Sequence, residues 1–355
     1  MTYLVPTVAQ IKKDLEEKGA LFNVVSLFAG GGGSSTGYRM ARGNVLAVNE
    51  FIPEAVTTYK SNWENTIVFE KDVRNLTPNE ILSAIHLNQG ELDIMDGSPP
   101  CCAFSVSGAR DKLWGKDHKY SDSKQGNIED LFFEYLRILD GLQPKVCVAE
   151  NVVGLKTGVS KGYLNEIFRG FDKAGYVVRA KAIDAKNLGV PQSRPRLFFV
   201  GVRKDLWLPE FENKTHPLPL KTKVTLREAF EGIEDLTDEE KRQTDCSKYA
   251  IYTKLVTVPK GFAHPKAFNL KKANPNSVSN CLTAKAGDIS AYHVYHWDNR
   301  AYTIREAKRV MSVPDDYIIT GTYAQQMERL GRMVAPLVMK AIAENIYTNI
   351  LSKLK

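Results

Sequence analysis

The sequence predicts an α/β protein built on a mostly parallel, doubly wound sheet, with a small, mostly-β region added late in the chain. Three observations predict it. From Val24 to Val202, short apolar runs alternate with helical patterns, as strands covered on both faces do. A glycine run, Gly30 to Gly33, joins the first strand to the first helix. Glycines there let backbone amides curl under a ligand at the helix start. Near Lys204 the alternation stops, and a segment rich in Pro, Lys and Thr follows at 209–223.

Taken in order, residues 8–18 carry the mixed charge and apolar spacing of a short accessory helix. Strands are expected at 24–28, 45–48 and 67–69, each followed by a helix, at 33–41, 54–62 and 79–87. The run 92–95 is a fourth strand, the pattern at 128–142 a helix, and 146–149 a buried strand. A helix over 163–174 precedes strands at 176–183 and 196–202. Past the break, 227–240 is acidic and helical, while 246–287 has poor helical periodicity and several prolines. A single long helix is expected at 325–347. The domain boundaries that follow are 1–203, 204–320 and 321–355, the last a helix returning to the first domain.

Length and composition narrow the class. A chain of 355 residues with 43% hydrophobic and 25% charged residues is long enough for one large domain and a smaller one. The net charge of +7 favours a polyanionic partner weakly. Seven lysines and no acidic residue fall between Cys246 and Gly287, with Tyr249, Tyr252, Phe262 and Phe268 among them. Five cysteines without a C-x-x-C pair argue against a disulfide framework or a zinc site, so no metal is expected. No signal-like or membrane-spanning apolar run occurs, and a cytoplasmic protein is expected.

Two features at strand ends carry chemistry. Glu50 follows the second strand at about the spacing where an acidic side chain takes ribose hydroxyls, and Phe51 beside it could stack on adenine. Asp72 follows the third strand and suits an adenine amino group. The glycines fit no G-x-G-x-x-G register and no Walker lysine follows, which disfavours a dinucleotide or a nucleoside triphosphate. The second feature is Gly97-Ser98-Pro99-Pro100-Cys101-Cys102, after the fourth strand. Two prolines fix φ twice, so Cys101 sits on stiff backbone at the carboxyl edge of a sheet, where reactive groups gather.

These segments, with Phe104-Ser105, Glu150-Asn151-Val152, Gln192-Ser193-Arg194-Pro195-Arg196, Arg305-Glu306-Ala307 and the Gly331 region, occur in an order that resembles the DNA cytosine-5 methyltransferase family. The resemblance runs across nearly the whole chain. It implies a Rossmann-like methyltransferase sheet with an inserted target-recognition domain, S-adenosylmethionine as cofactor, double-stranded DNA as partner, and a monomer of bacterial or phage origin. Implied cofactor contacts are Phe28, Ala29, Gly30, Gly32, Gly33, Glu50, Phe51, Asp72, Val73, Pro99, Leu131, Arg332 and Met333. Implied DNA contacts are Ser105, Ser107, Gln192, Lys254, Lys260, Lys271 and Lys272, with 108–127 as a closing loop.

The chemistry implied is covalent. Cytosine C5 is a poor nucleophile until a thiolate adds to C6, the role of Cys101. Glu150, after an apolar strand, is placed to protonate N3, and its desolvated setting should raise its pKa. Asn151 would hold the loop. Arg196 resembles the arginine that contacts the cytosine O2 and the catalytic carboxylate, and Arg194 its orienting neighbour. The target base must leave the duplex to be reached.

Two positions depart from the family. Cys102 stands where Gln or Asn is usual. Arg332 replaces the usual Asn near the cofactor, and a guanidinium near a sulfonium needs an anion between them. Carboxy-S-adenosylmethionine, giving 5-carboxymethylcytosine, is therefore an alternative. An RNA cytosine methyltransferase and a non-catalytic DNA-binding relative are the others.

Overall fold

The computed structural model describes residues 3–100, 118–120, 123–125, 131–156, 160–233 and 235–354. They form two compact units, each discontinuous in sequence. Unit one contains 1–13, 184–194 and 219–339, and unit two contains 14–183, 195–218 and 340–355.

After helix α1 (Val8–Lys18), unit two alternates as its apolar runs predict: β1 (Phe22–Leu27), α2 (Gly33–Met40), β2 (Gly43–Asn49), α3 (Pro53–Lys60), β3 (Ile67–Phe69), α4 (Pro78–Ile85) and β4 (Ile94–Gly97). A two-stranded ribbon, β5 (His118–Tyr120) and β6 (Ser123–Gln125), precedes α5 (Leu131–Leu142), β7 (Val146–Val152), α6 (Ser160–Lys173), β8 (Tyr176–Asp184) and β9 (Pro195–Arg203). The main sheet has seven strands in the order β3-β2-β1-β4-β7-β9-β8. β1, β2, β3, β4 and β7 run parallel, whereas β9 is antiparallel to β7, so the sheet is mixed. The carboxyl ends of β1, β2, β4 and β7 therefore share one edge with the start of β9.

The core explains the order of elements. Val25, Leu27, Met95, Cys147, Ala149, Leu197 and Phe199 on the sheet pack with Leu131, Phe132, Tyr135 and Leu139 of α5 and Phe171 of α6. Phe132, Phe171 and Phe199 meet with centroids 5.7–5.9 Å apart, within the range of favourable ring contacts.

Unit one holds α7 (Leu226–Ala229), α8 (Asp238–Thr244), α9 (Ile251–Leu255), β10 (Ala263–His264), β11 (Ala267–Lys272), β12 (Val294–Tyr295), α10 (Ile304–Val310) and α11 (Tyr323–Arg332). The helix α12 (Pro336–Asn349) begins in unit one and ends in unit two.

Three expectations need correction here. The acidic helix at 227–240 is two short helices, because Gly232 takes φ +74° and Thr237 starts α8 afresh with a capping box. The long helix at 325–347 is likewise two, broken at Met333, whose extended backbone precedes the helix that Pro336 opens. The region expected to be mostly β has a sheet of three short strands, β10-β11-β12, set among short helices. Its core gathers Cys246, Ile251, Leu255, Val258, Leu270 and Tyr295.

Candidate active site

At the end of β1 the chain turns sharply. Phe28 and Gly30 take φ +56° and +54°, and Gly32 at +87° caps α2. A side chain at Gly30 would meet nothing within 4 Å among the described residues, so there is open space beside the turn. That space, at a helix start, suits a ligand with an anionic group. Ala29 and Gly33 are buried in the same turn.

Glu50 fixes this turn from the neighbouring strand. Its Oε2 accepts the Gly30 amide at 2.7 Å, and its Oε1 accepts those of Phe51 and Ile52, each at 2.8 Å. The carboxylate thus shapes the cradle as well as facing it. Phe51 stays exposed, as a stacking platform must. Asp72 caps the short turn after β3, accepting from the Arg74 amide at 2.9 Å and its guanidinium at 2.8 Å. Val73 beside it is buried, and its carbonyl accepts from Arg137 at 2.9 Å. Leu131 is a core residue at the start of α5.

The β4 end carries Pro99, whose carbonyl accepts the Asn151 side-chain amide at 3.2 Å. Asn151 also turns its oxygen to the Val152 amide at 2.8 Å. The last residues before Cys101 are thereby tied to β7, the hold expected of Asn151. Cys101, Ser105, Ser107 and most of the 108–127 loop lie outside the described residues, as does Cys102.

Glu150 and Arg196 meet across the β7–β9 pair. Oε1 of Glu150 lies 3.0 Å from Nε of Arg196, and both side chains are largely but not wholly covered. The antiparallel register makes this possible: Glu150 lies opposite Phe198 and Val152 opposite Arg196, so the arginine enters at the strand start as the acid leaves at the other's end. An acid held by a guanidinium at a partly open sheet edge can bind and protonate a ring nitrogen.

Several expected contacts are struts within unit one. Arg194 is buried, and its guanidinium donates to the carbonyls of Leu282 and Gly331 at 2.8 Å and of Met333 at 3.1 Å. Those bonds fix the backbone at Leu282, Gly331 and Met333. Gln192, expected at DNA, is 0% exposed. Its amide donates to the Val310 carbonyl at 3.2 Å and accepts from Leu282 at 2.9 Å, so it has no surface to offer a duplex. Met333 is buried beside Arg194's acceptors. Arg332 is exposed and pairs with Glu328 one turn back, 2.8 Å away.

The four lysines differ. Lys254 and Lys260 are exposed, Lys271 is half-buried and Lys272 is buried. Lys254 donates to the Tyr292 hydroxyl at 2.7 Å. Burial, and then the charge of Lys260, lower the pKa of the Lys272 ammonium. Phe262 and Phe268 are exposed on the same hairpin.

Two polar residues outside the expected set also shape the edge. Asn49 donates to the carbonyls of Phe69 at 2.9 Å and Lys71 at 2.8 Å, locking the ends of β2 and β3 together. Asp96, on β4, is buried and accepts from Ser26 at 2.8 Å. An aspartate inside the run Leu92–Gly97 was its signal, because an acid in a buried strand must be bonded or functional.

The model of the family "C-5 cytosine-specific DNA methylase" matches residues 22–348. Type II methyltransferase M1.HphI of Haemophilus parahaemolyticus is 29% identical over 341 residues, covering 91% of this chain and 86% of that protein. Type II methyltransferase M.Bsp6I of Bacillus sp. (strain RFL6) is 27% identical, covering 93% and 100%. Among solved structures, a putative DNA modification methyltransferase encoded within an E. coli prophage superposes with a TM-score of 0.72 at 23% identity, covering 94% of this chain and 100% of that one. Spodoptera frugiperda DNMT2 superposes at 0.68 with 18% identity, covering 92% and 99%; at these identities the likeness shows the fold.

Proposed function

The chain belongs to the C-5 cytosine-specific DNA methylase family, and from that membership we propose that it methylates C5 of a flipped-out cytosine in double-stranded DNA, with Cys101 as covalent nucleophile. The Glu150–Arg196 pair at 3.0 Å carries the proposal, because it unites an acid and a multi-donor cation at the edge that the Pro-Pro-Cys segment leaves. Bound S-adenosylmethionine supplies an electrophilic methyl on a sulfonium. The Gly30–Gly33 turn, Phe51 and Asp72 would hold it, with Glu50 keeping the turn in shape.

The residues' tasks follow from the chemistry. The Cys101 thiolate forms a bond to C6 and pushes the ring's electron pair toward C5, while Glu150 protonates N3 as charge builds there. Arg196 keeps Glu150 oriented and can donate to the cytosine O2. Once C5 carries the methyl, N3 returns its proton to Glu150, water takes the C5 proton, and the electron pair of that C–H bond expels the Cys101 thiolate from C6 to restore the ring. Exposed Lys254 and Lys260 would contact phosphates.

The carboxymethyl alternative calls for an anion between Arg332 and the sulfonium, and the pairing of Arg332 with Glu328 of its own helix lowers the need for one on the cofactor. A plain methyl is therefore the group we expect. The test is mass spectrometry of nucleosides from plasmid DNA incubated with the protein and either cofactor. 5-Methylcytosine is expected, and 5-carboxymethylcytosine would restore the alternative. DNA containing 5-fluorocytosine should trap the protein covalently, and Cys101→Ser should abolish the adduct. A trapped Cys101→Ser protein would overturn the nucleophile assignment. Preferential modification of tRNA would move the substrate to RNA.

A further inference from the structure

Near the end of β4 lies an ionisable side chain with no part in the chemistry above. Asp96 is 1% exposed and sits opposite Ser26 in the β1–β4 register. Ser26 donates to its Oδ2 at 2.8 Å and the Tyr38 hydroxyl to its Oδ1 at 3.3 Å. The Ser34 side chain donates as well, and Ser34 follows directly on the glycine turn. Asp96 is therefore bonded to the first turn of the helix that follows the glycine turn of the proposed cofactor cradle. No cation forms an ion pair with it among the described residues.

The groups around it leave Asp96 to do the titrating. Tyr38 faces it from α2, Tyr135 from α5, and Cys147 and Glu150 lie on β7. Burial pushes both tyrosines and Cys147 far up, so they stay neutral. Glu150 is engaged by Arg196. Burial pushes Asp96 up to about 7, against the three hydroxyl donors that favour its charged form.

Methyl transfer removes one charge from the cofactor. S-adenosylmethionine carries a sulfonium cation, and its product, S-adenosylhomocysteine, carries a neutral thioether on the same skeleton. A negative charge in a poorly screened interior distinguishes the two, whatever it does to the groups they share. We propose that ionised Asp96 is a specificity-determining residue that shifts the site's preference toward the cationic donor relative to its neutral product. This inference rests on the reading that the glycine turn holds S-adenosylmethionine.

Calorimetric titration of the full chain with each ligand at pH 6 and pH 8 tests it. The ratio of the product's Kd to the donor's should rise roughly three- to tenfold between those pH values in the wild type. In Asp96→Asn the rise should vanish, apart from the part that the ligands' own amino groups contribute. Tyr38→Phe removes one donor from the carboxylate, so its rise should move to higher pH. Equal pH dependence in wild type and Asp96→Asn overturns the proposal, as does a ratio that falls. Should Asp96→Asn not fold, an unmoved midpoint in Tyr38→Phe overturns it instead. Absence of binding by either ligand overturns the cofactor reading and this inference together. Binding of both with parallel profiles overturns this inference alone.

Discussion

Glu150 and Arg196 divide one task between charge and geometry, and substitutions separate the parts. Glu150→Gln keeps shape and loses the proton, so kcat should fall by about 10²–10⁴ while cofactor affinity changes little. Arg196→Lys keeps charge but loses the fork, and kcat should fall with the fold intact. Single-turnover methylation alongside cofactor titration distinguishes these outcomes from unfolding. Asp96 makes a separate stability prediction. Its folded pKa of about 7 lies above the ordinary carboxyl value of 3.8, so the folded state holds the proton longer. The stability this confers is fully present below the unfolded pKa and is lost as pH rises through about 7. Asp96→Asn escapes that loss, so its Tm relative to wild type should increase from pH 5 to pH 8. A constant difference across that range would contradict the assignment. The two site residues at strand ends were legible because apolar runs point to their positions. Gln192 and Arg194 were not, since a short motif does not reveal which donors the fold itself uses. The bonding of Asp96 was not legible, because its partners come from a strand 70 residues and a helix 58 residues away.

Elements were more legible than their ends. The strands around the sheet fall where the apolar runs place them, because burial on both faces leaves a continuous signal. The reversed direction of β9 was hidden, since period and polarity say nothing about which way a strand runs. Helix breaks were hidden where a cap interrupts a continuing periodic pattern, as at Met333. Two predictions belong here. Asn151→Ala removes the amide that holds the Pro99 carbonyl, and stability should fall by about 1 kcal/mol. The accompanying drop in kcat should be disproportionate, because the segment leading to Cys101 loses its hold on β7. Gly331→Ala would drive a Cβ into the Thr283 backbone, where α11 meets the 284–287 turn. Overpacking against rigid backbone should cost about 1–3 kcal/mol, read as a lower denaturation midpoint.

At the scale of the whole molecule, charge and connectivity matter most. The excess of +7 is small, so phosphate binding depends on where individual lysines point rather than on the total. Replacing exposed Lys260 by Ala should weaken DNA binding across sequences and reduce the slope of log K against log salt by about 1. An unchanged slope would remove Lys260 from the interface. Composition could suggest a polyanion; which ammonium groups reach solvent is visible only in the fold.

The discontinuity of the two units has a consequence for synthesis. Residues 340–355 complete unit two, where Tyr347 packs on Phe22 at 6.0 Å and Asn345 donates to the Lys214 carbonyl at 2.7 Å. Phe22, at the start of the first strand, therefore waits for one of its ring contacts, made more than 300 residues later. On the ribosome, the sheet emerges long before the helix that covers Phe22. A nascent chain stalled before residue 340 should carry that apolar face uncovered, and there a chaperone, or a second nascent chain, would find it.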